Sequence, residues 1–580
     1  MNLQLISDFN LETLQQYLLK DSSSPQLSVT CAPFGQVFPA LLEPVTADRS
    51  DFALIWTSPD KIIPAFAAAL EQAPVDETRV LTEVRNLVDC LLNAKERFRA
   101  MFIVSWTLPP YQRGNGLLSL RQQGLGKLLL KMNLTLAEAL EGSGNIYLLD
   151  GQRWVEAVGK NAYSPKMWYL AKSPFHADVF RYATGEVKAA VSAVLGATKK
   201  LLVVDLDNTL WGGVVGDLGW EKLRLGGHDY QGEAFVDFQK TLKSLKNRGV
   251  LLAIASRNEE GVALEALTRH PEMVLHPSDF AAWRINWNDK AKNIAELVAE
   301  LNLGLQSVVF IDDNPVERAR VREALPEVYV PEWPDDKTLF ASTLLAMDCF
   351  DSAHTTAEDA SRTEMYAAER ERLNLQSTVS SAEEWLLSLD TQITVEELND
   401  ANRGRAAQLL NKTNQMNLST RRLTEQELQN WLQSGHRKLW VFRVKDKFGD
   451  SGLTGILSLE VEGDVGRIVD FVLSCRVMGR NVEQAMVAFA AQHCAAVELR
   501  ELQARYLETA KNKPCLRFWM ASGFSFAEEG SRFSWQLNQP YEYPRGIEIR
   551  RPQDREGDSV YSKDRVTLDP KRATLPVLTN

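Results

Sequence analysis

The sequence predicts a multidomain α/β protein, and three observations carry that reading. The chain has 580 residues, too many for one hydrophobic core, and at about 150 residues per domain it divides into three or four. Short apolar runs alternate with amphipathic stretches: FALIWTS (52–58), MFIVSW (101–106), KLLVVDLD (200–207), VLLAIAS (250–256) and SVVFIDD (307–313). Buried strands separated by helical crossovers produce that pattern in parallel sheets. Downstream, LWVFRVKD, SGLTGILSLEV and GRIVDFVLS follow one another with only polar turns between them, which predicts a mixed α+β unit.

Residues 1–195 form the first α/β domain on this reading, with KIIPAFAAALEQA (61–73) as a helical partner to its strands. Residues 196–350 form a second, in which Phe235, Phe238, Leu242 and Leu245 recur at spacings of three and four before a glycine, the pattern of a helix packed on a sheet. A charged helical connector near 352–375 leads into the third domain, 351–540. The proline- and charge-rich segment 541–580 shows little periodicity and reads as an extended or disordered tail.

Composition narrows the function classes. The formal net charge of -11 and pI near 5.4 oppose a protein that coats nucleic acid or an anionic membrane. No stretch reaches the roughly 18 apolar residues that span a bilayer, and the N-terminus lacks a signal-peptide pattern, so the expected location is the cytoplasm. Six scattered cysteines with no C-x-x-C spacing indicate neither a zinc site nor a disulfide framework.

The chemistry concentrates in the second domain. VVDLDNTLW ends an apolar run in Asp205 and Asp207, carboxylates at i and i+2 that share one face of a strand end. The next strand ends in Ser256, whose hydroxyl can bond a phosphoryl oxygen, and Lys290 follows in NWNDKAKN, where an ammonium can neutralise developing charge. A third strand ends in Asp312 and Asp313, within FIDDNP, hard oxygen donors suited to Mg²⁺. Sites at the carboxyl ends of successive strands are where α/β sheets hold ligands.

The ordered set resembles the four motifs of the haloacid-dehalogenase (HAD) superfamily. That resemblance implies that Asp205 attacks phosphorus to give an aspartyl-phosphate while Asp207 protonates the leaving oxygen and then activates water. It also implies that Mg²⁺ is held by the Asp205 carboxylate, the Asp207 backbone carbonyl and Asp312, with Asp313 in support. The intervals 211–231 and 257–289 are too short for a large cap domain. Longer strings, DLDNTLWGGVVGDLGWEKLRLGG, RINWNDKAKNIAELVAELNLGLQSVVFIDDNPVERARVREALPEVYVP, KTNQMNLSTRRLT and FVLSCRVMGRNVE, are similar to the FkbH-like family over most of 198–530. Members of that family act in polyketide biosynthesis: they take a three-carbon unit from 1,3-bisphosphoglycerate, remove phosphate, and load glyceryl onto the phosphopantetheine thiol of an acyl carrier protein.

Such loading needs a second chemistry, and Cys475 is the candidate acyl-carrying thiol, since Arg476 follows it at once and Arg480 lies four residues after Arg476. The third domain resembles the acyl-CoA N-acetyltransferase (GNAT) fold, with Arg476, Gly479 and Arg480 as candidate phosphate-cradle residues for a CoA or pantetheine group. Asn481 departs from the small residue usual there. Arg421 and Arg422 are further candidates for phosphate or for an acidic carrier surface. The first domain looks like a degenerate SGNH-type hydrolase: APFGQ (32–36) stands for its nucleophile turn and Asp150-Gly-Gln-Arg153 for its Asp-x-x-His, so it reads as binding or structural. His176 reads as a surface or packing residue.

The expected architecture is thus a central HAD-type Rossmann-like parallel sheet flanked by an SGNH-like and a GNAT-like domain. The expected activity is Mg²⁺-dependent glyceryl transfer from a small phosphorylated three-carbon acid to an acyl carrier protein, with no nucleic-acid or membrane partner. The alternatives are a plain phosphatase of a small metabolite and a non-catalytic carrier-docking scaffold.

Overall fold

In the computed structural model the chain is described at residues 1–44, 50–114, 116–121, 124–227, 229–353, 372, 375, 379, 381–527 and 531–550. The described residues fall into two compact units, one within 1–360 and 421–433, the other within 361–420 and 434–580. The first unit carries two sheets and the second carries one.

The first sheet comprises β1 (Asn2–Ser7), β2 (Ser28–Cys31), β3 (Phe52–Trp56), β4 (Ala100–Val104) and β5 (Ile146–Leu149) in the order β2-β1-β3-β4-β5. Every pairing is parallel. Both faces are covered, which is why β3 and β4 are buried at every position. Helices Glu77–Ala94 and Leu125–Leu140 cover one face with Val84, Leu91, Met132 and Leu136. Glu12–Lys20 and Ala177–Val194 cover the other with Leu14, Val187 and Val191. The stretch 61–73 is broken at Pro64 into helices Pro59–Ile62 and Pro64–Leu70, because proline removes the N–H a continuous helix would use.

In this strand order the topological switch lies between β1 and β3, so the crevice there is walled by Ser7 and Asp8 on one side and Thr57 and Ser58 on the other. APFGQ follows the edge strand β2 instead, so its expected place at the catalytic turn is corrected. Asp150 caps helix Gly151–Val158, accepting hydrogen bonds from the backbone N–H groups of Gln152 and Arg153, while Arg153 pairs with Glu186. His176 caps Ala177–Val194 through Nδ1.

Asp8 accepts the Ser58 backbone N–H at 3.0 Å, and burial lifts its pKa from 3.8 to about 7, with Asp60 adding to the rise. A carboxyl raised on folding stabilises the fold while protonated and loses that contribution as pH climbs between those two values. Stability should therefore fall by on the order of 3 kcal/mol between about pH 4 and pH 7 from this group. Asp8→Asn keeps an acceptor for Ser58, and thermal unfolding across that range should show the pH dependence reduced accordingly.

The second sheet comprises β6 (Leu201–Val204), β7 (Leu251–Ser256), β8 (Ala282–Ile285) and β9 (Val308–Ile311) in the parallel order β8-β7-β6-β9. Helix Tyr230–Asn247 presents Phe235, Phe238, Leu242 and Leu245 to a core that includes Leu202, Val204, Ile254 and Ile311. Between β6 and this helix the described residues form the short helix Val215–Leu218 and a turn, and Leu223 and Leu225 fold back into the same core. Among the described residues no cap domain is inserted there.

The second unit is built on β10 (Thr391–Glu397), β11 (Met416–Asn417), β12 (Arg437–Asp446), β13 (Gly449–Glu462), β14 (Val465–Leu473), β15 (Glu501–Arg505), β16 (Ser525–Ala527), β17 (Arg532–Gln536) and β18 (Ile547–Arg550). Strands β10 to β14 run antiparallel, while β14 and β15 pair in parallel over Val465–Ile468 and Glu501–Ala504 only. Beyond that pairing the two strands part, and the chain fills the gap itself. Leu418 donates to Phe471 O at 3.1 Å, and Leu507 donates to Leu418 O at 3.0 Å.

Two boundaries differ from the sequence reading. Residues 547–550, assigned to the tail, form β18 beside β10, where alternating Ile547 and Ile549 find an unpaired edge; residues 551–580, like most of the 352–375 connector, lie outside the described residues. Residues 421–433, assigned to the third domain, pack with the first unit. There Gln426 accepts from Lys95 at 3.2 Å and Asn430 donates to Glu96 at 2.5 Å. Arg421 stacks over Trp431 at 5.0 Å, and burial with nearby Arg99 holds the Arg422 guanidinium down to about 10.

Candidate active site

Four strand ends of the second sheet converge. Asp205 follows β6, its backbone N–H donating to Ile311 O at 3.0 Å, which locks the ends of β6 and β9 side by side. Asp312 and Asp313 follow β9, and Asn314 caps the next helix by accepting from Val316 N, with Pro315 in the first turn where no N–H is required. Arg318 from that helix donates to both Asp312 O (2.7 Å) and Asp313 O (2.8 Å), fixing the turn from behind. Asp289 caps helix Lys290–Glu300, and this start places Lys290 at the site.

Lys290 is the hub. Its ammonium lies 3.0 Å from Asp205 Oδ1 and 2.6 Å from Asp312 Oδ2, and all three side chains are buried. Burial opposes a charge on Lys290, but the two carboxylates outweigh it and hold its pKa above the ordinary lysine value. Asp312 is pushed upward by burial and by Asp205, against the pull of Lys290. The cluster is therefore short of positive charge.

Oxygen atoms of Asp205, Asp312 and Asp313 lie within 4.8 Å of one another. Asp205 Oδ1 is buried with no hydrogen-bond donor in line among the described residues, although Lys290 faces it. Three hard oxygen donors with a charge deficit fit a divalent cation such as Mg²⁺. The Asp207 carboxylate stands outside this group. Its Oδ1 accepts from Trp211 Nε1 (2.9 Å) and Val215 N (3.1 Å), and its Oδ2 from Asn258 Nδ2 (2.9 Å). Asp207 could serve a cation only through its backbone carbonyl.

Burial raises the Asp207 carboxyl above its ordinary range against those three donors, with Asp205 adding to the rise. Asn258 also donates to Ser256 Oγ at 3.2 Å, so it ties the end of β7 to the acid/base candidate. The turn between them depends on Asn208 at φ +54°, whose side chain accepts from Gly213 N at 2.9 Å. A Cβ at Gly213, itself at φ +101°, would stand 2.5 Å from the Leu218 side chain.

Asn258, Trp211 as a donor, Arg318 and Lys337, which pairs with Asp313 at 3.3 Å, were not singled out for these contacts by sequence reasoning. Trp211 lies four residues after Asp207 and Asn258 two after Ser256, so spacing alone offered a signal for both. Trp211→Phe keeps the packing and deletes one donor to Asp207. About 1 kcal/mol of positioning should be lost, read as a roughly fivefold drop in the rate of phosphate release.

The remaining candidates lie in the second unit, after β14. Cys475 is half-buried and opens the turn Cys475–Val477, with Ser474 capping it by accepting from Arg476 N. The expected phosphate cradle is corrected by its own contacts. The Gly479 N–H donates to the buried Glu483 carboxylate at 2.8 Å, and Arg480 is buried in an ion pair with Asp446 (3.2 Å), which Arg372 also grips at 2.6 Å. Arg476 Nε donates to Ser474 Oγ at 3.2 Å. A carboxylate of the chain occupies the N–H that a pyrophosphate would need, and Leu418 fills the gap between β14 and β15.

Among solved structures, the chain is similar to the N-terminal part of BF1531 from Bacteroides fragilis, which contains a phosphatase domain and is complexed with Mg. The identity is 28% and the TM-score 0.55, over 61% of this chain and 94% of that one. The second sheet, with its parallel order and acidic strand ends, is HAD-like. The likeness and the site together make the protein an enzyme, of mixed α/β, multidomain architecture.

Matches over 25% of the chain include the ribosomal-protein-S18-alanine N-acetyltransferase of Escherichia coli (9% identity, TM-score 0.20, 94% of that chain) and a GNAT-family acetyltransferase of Staphylococcus aureus (9%, 0.20, 99%). At those scores the fold of the second unit rests on its own topology. No protein-family model matches the chain. No curated protein matches it either. No helix among the described residues is long and apolar enough to cross a membrane.

Proposed function

We propose that the protein is a Mg²⁺-dependent enzyme that removes phosphate from a phosphoglyceryl substrate, 1,3-bisphosphoglycerate, and delivers the glyceryl unit to the thiol of an acyl carrier protein. The observation that carries the phosphoryl part is the buried Asp205–Lys290–Asp312 cluster, with Asp207 held beside it by Trp211, Val215 and Asn258. The neighbour's phosphatase domain and its Mg support the same chemistry. The strings shared with FkbH-like proteins support the glyceryl and carrier part.

Asp205, Asp312 and Asp313 would hold Mg²⁺, which when bound screens the anionic phosphate from the attacking carboxylate. Asp205 attacks phosphorus, and Lys290, 3.0 Å from its Oδ1, orients that carboxylate. Asp207 gives a proton to the departing oxygen and then takes one from the water that cleaves the aspartyl-phosphate. The Ser256 hydroxyl and the Lys290 ammonium supply hydrogen bonds to phosphoryl oxygens. In the acyl step the Cys475 thiolate attacks the carbonyl of the acyl phosphate, inorganic phosphate leaves, and the resulting thioester exchanges onto the carrier thiol, returning Cys475.

Intact-mass measurement tests the reading: a phosphopantetheinylated carrier is incubated with the enzyme, Mg²⁺ and 1,3-bisphosphoglycerate generated in place. A glyceryl mass gain on the carrier is expected. Free phosphate with no gain on any carrier would reduce the protein to a plain phosphatase. Cys475→Ala should still bind Mg²⁺ yet form no acyl-enzyme and load no carrier. Normal loading by that variant would remove Cys475 from the acyl step.

A further inference from the structure

The first sheet holds a cavity of about 260 Å³ that the phosphoryl site does not use. It opens at the carboxyl ends of β3 and β4, where Ser58, Ser105 and Thr107 follow the strands, and it is walled by Trp56, Trp168 and Phe175. It lies at the carboxyl ends of the strands, the side on which open parallel sheets take ligands, one strand along from the β1/β3 switch. Its volume lies below the usual range for drug-sized ligands, about 300–1,000 Å³, so it suits a thin chain. Apolar rings on the walls and hydroxyls along the floor suit one that carries both methylenes and amides.

The surface around the mouth is unusual for an acidic protein. No Asp or Glu occurs in 97–137 or in 157–177, although the chain has 76 of them. Both stretches border the cavity through Thr107, Tyr111, Gln112, Tyr163 and Trp168. Arg113, Lys166 and Lys172 in these stretches are exposed. Lys61 and Lys172 stand over the Trp168 ring at 5.7 and 5.4 Å.

Large apolar side chains sit among these cations. Tyr111 is 61% exposed, Tyr169 79% and Leu170 70%, and Tyr169 is near enough to Tyr111 to add to the rise that burial gives its phenol. Asp60 lines the cavity but is paired with Lys61 at 3.4 Å, and the exposed apolar and basic side chains around the mouth mark an interaction surface. A second copy of this chain would set basic face against basic face under two-fold symmetry, so charge complementarity favours an acidic partner.

We infer that this face docks an acidic acyl carrier protein and that the cavity receives its phosphopantetheine arm. The inference rests on the carrier-loading reading for the partner's identity, and binding is measured separately from loading so that the two can fail independently. Fluorescence anisotropy of a labelled acyl carrier protein, in apo and phosphopantetheinylated forms, is measured with the full chain. The arm-bearing form should bind about tenfold more tightly, and binding should weaken as salt rises. Lys166→Glu with Lys172→Glu should weaken both forms at least tenfold, and Gln112→Trp, which fills the mouth, should abolish the advantage of the arm. Thermal unfolding checks that these surface variants remain folded.

Equal binding of both carrier forms, binding indifferent to the charge reversal, or a preference for phosphatidylglycerol vesicles over the carrier would overturn the inference. Loading by wild-type enzyme without engagement of this face would leave the proposed reaction standing and remove the docking site. Engagement of this face without loading would do the reverse.

Discussion

Asp205→Asn is expected to abolish phosphate release, lowering turnover by about ten-thousand-fold or more, the scale seen when a covalent nucleophile is removed. The amide has nearly the shape of the carboxylate but neither its charge nor its nucleophilicity. Folding should survive, because Lys290 keeps its 2.6 Å contact with Asp312 and the Asp205 backbone bond to Ile311 does not involve the side chain. The variant should also bind Mg²⁺ more weakly, since one of three clustered oxygen donors loses its charge. Phosphate release under saturating Mg²⁺ and a thermal melt on the same sample separate lost chemistry from lost structure.

Lys290→Met is the second large effect, and it should appear in stability as well as rate. Methionine has similar length and packs in an apolar setting, so little volume is lost. The ammonium that faces Asp205 at 3.0 Å and Asp312 at 2.6 Å disappears, leaving two buried carboxylates facing each other. Removing one partner of a buried ion pair costs about 3–5 kcal/mol. Added Mg²⁺ should restore part of that loss in the variant and raise the melting temperature more than it does in wild type, because a bound cation replaces the missing charge. Phosphate release should not recover, since the proposed mechanism also has Lys290 bond the phosphoryl oxygens. A variant as stable as wild type without metal would show that the cluster is not strained by like charge.

The catalytic sheet was legible because its strands are buried on both faces and end in chemistry. VVDLD, LLAIAS and VVFIDD are short apolar runs that stop at Asp205, Ser256 and Asp312, and no crossover is long enough to hide the order. β8 was harder to see: AWRI has Trp283 and Arg284 half-exposed, so neither an apolar run nor strict alternation marks it. Trp211 and Asn258 were visible as residues but not as partners of Asp207, because their convergence depends on the left-handed turn at Asn208.

Motif spacing misled most in the second unit. Arg476, Gly479 and Arg480 have the order of a phosphate cradle, yet Glu483 one helical turn later supplies the anion from within the chain, and Asp446, far off in sequence, claims Arg480. The Asp446 contact is not encoded locally. The placement of 421–433 on the first unit is likewise a tertiary choice, made through contacts such as Gln426 with Lys95.

The central claim is that Asp205 carries the phosphoryl group, and acid quenching of the enzyme during turnover of 1,3-bisphosphoglycerate with Mg²⁺, followed by peptide mass mapping, tests it directly. A phosphoryl mass on the peptide containing Asp205, absent without Mg²⁺ and absent from Asp205→Asn, is the expected result. Steady phosphate release with no adduct at Asp205, persisting in Asp205→Asn, would contradict it.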